Sequence, residues 1–95
     1  MRVISVKRIR NFLELYPKAE SSLLGWYTTV KHANWENMAE MNQVFPNADL
    51  VGRRTVFNIM GGNFRLIARV NYARKTVFIL HILTHKEYDR GRWKE

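Results

Sequence analysis

The hydrophobic rhythm of the chain changes near its middle. Val6, Ile9, Leu13 and Tyr16 recur three or four positions apart, which places them on one stripe of a helix. Pro17 ends that helix, because proline has no amide hydrogen to donate. Ser5 stands where an N-cap is expected, with a side-chain oxygen to offer an unpaired amide. Ala19, Leu23, Trp26, Val30 and Ala33 repeat the pattern in a second helix, and residues 18–22 are too few for a domain linker. Asn37 is set to cap a short third helical turn with Met38 and Met41 inward, closed before Phe45-Pro46 because a residue preceding proline avoids the helical region. Trp26 lies on an apolar helix face and reads as core, whereas the pattern leaves Trp35 and Trp93 open.

From Ala48 onward the helical period gives way to runs of β-branched and aromatic residues, with turns at Gly52, Gly61-Gly62 and Ala73-Arg74-Lys75. The clearest strand runs from Phe64 to Tyr72. Alternation puts Phe64, Leu66, Ala68, Val70 and Tyr72 on a core face and Arg65, Ile67, Arg69 and Asn71 on a charged one. Val77 to Leu83 is almost wholly apolar, as a central strand should be, and Arg53 to Ile59 forms the hairpin partner across Gly61-Gly62. With Met1 to Ser5 as a further short strand, the expected fold is α+β. It has an antiparallel sheet of about four strands and two N-terminal helices packed on one face, all in one domain spanning residues 1–95.

Composition narrows this picture. A chain of 95 residues with 46% hydrophobic and 13% aromatic side chains can bury one core, so disorder is not expected despite the charge. With no cysteine there is neither a disulfide framework nor a thiolate metal site, which accords with a reducing compartment. No stretch approaches the roughly 20 apolar residues that span a bilayer, and the N-terminus lacks the apolar run of a signal peptide. A cytoplasmic protein without a membrane partner is therefore expected. The net charge is +8 and the pI about 10.3. Residues 1–48 hold 6 Lys/Arg against 4 Asp/Glu, whereas residues 49–95 hold 10 against 4, so the excess lies in the strand-rich half. That asymmetry points to a directed surface for a polyanion rather than to solubility alone.

Candidate chemistry is confined to few residues. His81 and His85 would form a metal pair on a helix, but a strand separates them by about 13 Å, too far to share one ion. Gly61-Gly62 is followed by neither the helix nor the lysine that a phosphate-binding loop requires and reads as a hairpin turn. No metal or cofactor is expected. Arg65 and Arg69, about 13 Å apart on one strand face, suit two phosphates of one RNA strand, or simply a solvated sheet face. The segment Thr84-His85-Lys86-Glu87-Tyr88-Asp89 adds an imidazole, an ammonium and a phenol at a strand end. RNA is cleaved without metal when its 2′-OH is deprotonated, the phosphorane charge is neutralised and the 5′-oxygen is protonated as it leaves. Histidine suits either proton transfer, and arginine and lysine supply the electrostatic stabilisation. Tyrosine can orient the 2′-OH, stack on a base or relay a proton. On spacing alone, the stronger reading of the same residues is a Thr84-His85 helix cap with Tyr88 in the core.

Two segments resemble the HigB family of toxins within the wider RelE/ParE group. Val56-Phe57-Asn58-Ile59-Met60-Gly61-Gly62-Asn63-Phe64-Arg65-Leu66-Ile67 is similar to the family's hairpin signature, and Thr84 to Asp89 with Trp93 to its C-terminal signature. The resemblance implies a RelE-like fold. It also implies an endoribonuclease that cuts mRNA, commonly on the translating ribosome, and that is silenced by a HigA-type helix-turn-helix antitoxin. Operator DNA would be met only through the complex with that antitoxin. Arg65 matches the strand arginine that contacts the scissile phosphate in RelE-type ribonucleases, and Tyr88 a tyrosine near their active site. His85 and Lys86 fall where those relatives carry basic groups. Those ribonucleases place lysines where Val56 and Asn58 stand here, which shifts the base onto His85, and Gly62-Asn63 departs from the asparagine and basic residue often found there.

The expected catalytic set is thus His85, Arg65, Tyr88 and Lys86, with Arg69, Arg53, Arg54, Arg74 and Asn58 as candidate RNA contacts. Two other readings compete: a ParE-like toxin that blocks DNA gyrase without catalysis, and an RNA-binding module that does not cleave. The cluster from His85 to Asp89 discriminates, since a gyrase binder needs no such constellation.

Overall fold

In the computed structural model, which describes residues 1–94, strand β1 (Arg2–Ile4) leads into helix α1 (Lys7–Leu15). A 3₁₀ turn (Pro17–Ala19) joins it to helix α2 (Glu20–Lys31), and a short helix α3 (Met38–Val44) precedes the sheet-forming half. Strands β2 (Asp49–Val51), β3 (Arg54–Ile59), β4 (Phe64–Asn71) and β5 (Thr76–Thr84) follow, then helix α4 (His85–Arg90) and a final 3₁₀ turn (Arg92–Lys94). The strands form one sheet in the order β1-β5-β4-β3-β2. The α+β class and the helices on one face are as the sequence predicts. The sheet differs in two respects. It has five strands rather than four, because the three residues of β2 pair with β3 through Leu50 opposite Thr55. Nor is it wholly antiparallel, because β1 runs parallel to β5, with Val3 opposite Val77. A strand of three residues carries too little alternation to announce itself, and its pairing is fixed by the turn at Gly52-Arg53.

Ser5 does not cap α1. Its φ is 70°, Val6 occupies the cap position without a side-chain bond, and the first turn is closed by Arg8 N–H to Ser5 C=O (3.0 Å). The chain must pass from β1 to α1 within two residues, and that sharp turn puts Ser5 into the left-handed region. Asn37 does cap α3, its Oδ1 accepting from Glu40 N–H at 2.9 Å. Met41 is fully buried and Met38 partly so.

The main core lies between the sheet and the helices. Ile9, Phe12, Leu23, Trp26 and Val30 meet Phe57, Phe64, Leu66, Ala68, Val77 and Ile79. Edge-to-face aromatic pairs join the layers, Phe12 with Phe64 at 5.1 Å and Trp26 with Phe57 at 5.4 Å. Trp35, left open by the pattern, is buried beside Phe45. In β5 the register against β4 slips by one residue, Ile67 facing His81 but Ala68 facing Ile79. This bulge resets the alternation, so that Val77 and Ile79 before it and Ile82 after it all reach the helix face.

The opposite face is not the open charged surface that strand alternation suggests. Val56, Ile67 and Trp93 form a second, smaller core there, with Leu83 and Tyr88 packed on it. Burying Trp93 on Ile67 removes apolar area that would otherwise face water, and this anchors the end of the chain across the sheet. No helix among the described residues is long and apolar enough to cross a membrane.

Candidate active site

The hairpin between β3 and β4 and the start of α4 are neighbours because the register demands it. Phe64 pairs with Thr84 and Arg65 with Leu83, so the turn at residues 60–63 ends beside the point where β5 becomes helix. Gly62 N–H donates to Ile59 C=O (3.2 Å) and Asn63 N–H to Met60 C=O (3.2 Å), closing the turn through positive φ at Met60, Gly61 and Gly62. The first amide of α4, His85 N–H, donates to Asn63 C=O at 3.2 Å, a direct tie between turn and helix. Thr84 caps α4 in a reciprocal box. Its hydroxyl accepts from Glu87 N–H at 3.2 Å, and the Glu87 carboxylate accepts from Thr84 N–H at 3.0 Å. The capping reading of Thr84 is therefore correct, and it is also what holds His85, Lys86 and Tyr88 in place.

Arg65 is fixed by three groups. Its Nη1 donates to the carbonyls of Gly62 and Phe64, and its guanidinium lies 5.1 Å from the centre of the Tyr88 ring. Tyr88 in turn stacks on Trp93, the centroids 5.1 Å apart and the planes inclined by 12°, while Trp93 Nε1 donates to Tyr88 C=O at 2.9 Å. A contiguous stack thus runs from the buried Trp93 through Tyr88 to a half-buried guanidinium. Gly62 makes room for it. A Cβ at that position would stand 3.3 Å from Arg65 Nη1, and the φ of +93° disfavours any side chain there.

Along α4, residues three and four apart share a face, so His85, Tyr88 and Asp89 lie together and Lys86 is turned about 100° away. His85 Nδ1 lies 2.8 Å from Asp89 Oδ2, both side chains well exposed. The pair directs an Nδ1 hydrogen toward the carboxylate and leaves Nε2 outside this contact. Asn58 lies opposite Arg65 across the β3–β4 pair, exposed and on the same sheet face.

Other expected contacts are placed elsewhere. Arg69, Arg53, Arg54 and Arg74 belong to the strand ends remote from the 60–63 turn. Arg53 and Arg74 are exposed, in the turns before β3 and before β5. Arg54 donates to Lys94 C=O at 3.2 Å and so helps hold the C-terminal turn. His81 lines a separate cavity of about 290 Å³ with Leu83, Glu87, Arg90 and Trp93. Burial there, together with the charges of Arg8 and Arg54, lowers its pKa below the ordinary 6.5. Among the described residues no group of three or more His, Cys, Asp or Glu gathers as a metal site would require. The sequence named Asp89, Gly62 and Trp93 as members of the two signature segments but gave none of them a role of its own at the site. The four-residue interval from His85 to Asp89 was the available signal for the first, once those residues are known to be helical.

Known proteins are consistent with this arrangement. A family model described as HigB_toxin, a RelE-like toxic component of a toxin-antitoxin system, matches residues 19–91. The mRNA interferase HigB of Escherichia coli O6:H1 is 32% identical over 93 residues, covering 95% of this chain and 90% of that protein. The mRNA interferase toxin HigB of Escherichia coli K12 and the mRNA interferase HigB of Shigella flexneri are each 28% identical over 92 residues, covering 94% of this chain and 88% of theirs. The family match spans the hairpin and α4 alike, and the chain belongs to the HigB family of RelE-like toxins of toxin-antitoxin systems.

Proposed function

We propose that this toxin is an mRNA endoribonuclease whose reaction is carried by Arg65, His85, Tyr88 and Lys86 and calls on no metal. The observation that carries the reading is the Arg65 guanidinium, held at the turn by the Gly62 carbonyl and by the Tyr88 ring. With Nη1 turned to backbone carbonyls, the remaining donors are free among the described residues to meet a phosphate oxygen. A fixed guanidinium stabilises charge that develops on the phosphorane without having to reorganise first.

In the proposed reaction the RNA 2′-oxygen loses its proton and bonds to phosphorus, the bond from phosphorus to the 5′-oxygen breaks, and that oxygen takes up a proton. A 2′,3′-cyclic phosphate and a 5′-hydroxyl result. His85, oriented by Asp89, moves one of these protons through Nε2. Tyr88, whose ring is already engaged by Arg65 and Trp93, positions the guanidinium and offers the RNA its hydroxyl. Asn58 and Lys86 add contacts to the strand at the border of the site. The partners of this reading are mRNA, engaged on the translating ribosome, and a HigA-type antitoxin that silences the toxin.

Inducible expression followed by mapping of mRNA 5′ ends tests the proposal. New cleavage sites are expected with the wild type and are expected to vanish with Arg65→Ala and His85→Ala. If His85→Ala cuts as well as wild type, His85 is not the proton-transfer group. If growth stops while mRNA stays intact and DNA supercoiling changes, the toxin is a gyrase binder and the nuclease reading fails.

A further inference from the structure

The sheet face that carries Trp93 is covered only at one end. Beyond the second core, toward the turn between β4 and β5, it holds a cavity of about 500 Å³ lined by Ile4, Phe78 and Leu80 and bordered by Arg69 and Arg74. Phe78 is 40% exposed near the start of β5, although the same strand buries Val77 and Ile79 completely on the opposite face. Water thus reaches an aromatic and two aliphatic side chains on a sheet whose other face is fully packed. Such a face is completed by a second layer.

The charge of the border indicates what kind of layer. Among the described residues, the ionisable side chains lining the cavity are Arg69 and Arg74, and no carboxylate lines it. Arg74 is held in its turn by a bond from its own N–H to Asn71 Oδ1 (3.0 Å), which fixes where its backbone presents the guanidinium. An apolar centre with cations at the rim matches a helix that has an apolar stripe flanked by Asp and Glu. RNA fits the centre poorly, because phosphates and sugars gain little from covering Phe78 and Leu80, and unstacked bases would need exposed aromatic faces in series. Arg69 is four residues along β4 from Arg65, about 13 Å by strand rise, so an occupant here need not sit on the Arg65–Tyr88 stack.

We infer that the Ile4–Phe78–Leu80 face, rimmed by Arg69 and Arg74, is the surface on which an acidic amphipathic helix of the antitoxin docks. The toxin gains a cover for its unpartnered sheet face, and the occupant neutralises part of the +8 charge.

The test measures binding directly and does not depend on cleavage. The antitoxin encoded with this toxin is titrated calorimetrically into wild type, Phe78→Asp, the double variant Arg69→Glu/Arg74→Glu, and Arg69→Lys/Arg74→Lys. The first two variants are expected to lose at least about 30-fold in affinity, as central contacts of interfaces do. The lysine pair, which keeps the charge, is expected to lose far less. The substituted arginines are exposed, so the double variant keeps its fold, checked by its thermal midpoint. Unchanged affinity in Phe78→Asp and in the glutamate pair overturns the inference. So does a result in which the antitoxin binds normally while ribosome binding or mRNA cleavage falls, since the face would then meet RNA.

Discussion

Gly62→Ala separates the backbone of the hairpin from its chemistry. Two costs are expected. The φ of +93° lies outside the region where an L-residue rests easily, which costs about 1–3 kcal/mol. The new methyl would also stand 3.3 Å from Nη1 of Arg65, closer than a relaxed contact, and 3.8 Å from its Cζ, at ordinary contact distance. The guanidinium cannot yield freely, because the Gly62 carbonyl and the Tyr88 ring hold it on either side. Gly61→Ala is the matched control: its φ is +64° and among the described residues no atom lies within 4 Å of the added carbon. That variant bears only the left-handed backbone cost of about 1 kcal/mol. At about 4–8 °C per kcal/mol for a chain of this size, the thermal midpoint should fall by about 5 °C in Gly61→Ala and by about 10 °C or more in Gly62→Ala. Cleavage should part more sharply: near wild type for Gly61→Ala, and reduced about 100-fold for Gly62→Ala, the usual consequence of displacing a positioned group by about 1 Å. The assay is single-turnover cleavage of a defined mRNA below both melting temperatures. Equal activities in the two variants would refute the idea that the space at Gly62 exists for the Arg65 guanidinium.

Two further outcomes are expected. Trp93→Ala removes a side chain only 4% exposed and should cost about 3 kcal/mol, with amide hydrogen exchange across residues 85–90 accelerating toward unprotected rates; unaltered protection of α4 would show that Trp93 does not anchor it. His81, whose pKa is lowered chiefly by burial and further by Arg8 and Arg54, takes up its proton more readily in the unfolded chain than in the folded one. Stability should therefore decline as pH falls below the ordinary value of 6.5, and urea titrations from pH 7.5 to 5 should show a shallower decline in His81→Gln, identical slopes being the result that excludes His81.

The helices and the long strands were legible because each buries a regular stripe or face against the main core, and periodicity registers that directly. Ile9 and Leu13 in α1 and Leu66 and Ala68 in β4 fall on the core side as their spacing requires, although Phe12, outside the stripe read from the sequence, is also buried there. What stayed hidden depends on contacts between distant segments. Trp93 is isolated in sequence among charged residues, and only the docking of the C-terminal turn on Val56 and Ile67 gives it a partner. Ser5 has a good capping side chain, yet the geometry of the β1–α1 connection took precedence over propensity. The bulge in β5 explains why His81 and Ile82 follow a different alternation from Val77 and Ile79. At the site, Arg65 and Tyr88 were nameable through family resemblance, but their contact through a 5.1 Å cation–π pair needed the register of β4 on β5.

The place of β5 in the sheet has a consequence for how this toxin is made. β5 lies between β1 and β4, so the first strand to be synthesised has no neighbour in the sheet until residues 76–84 emerge. Val77 and Ile79 complete the main core, and the residues after them close the second one over Ile67. Translation therefore delivers helices and a β2–β3–β4 meander first, and the closing strand, the α4 residues and their anchor only after them. Until residues 76–90 have left the ribosome, the nascent toxin has neither a finished sheet nor an assembled Arg65–Tyr88 stack. The Arg65–Tyr88 stack is thus assembled only after both of the segments that meet in it have emerged.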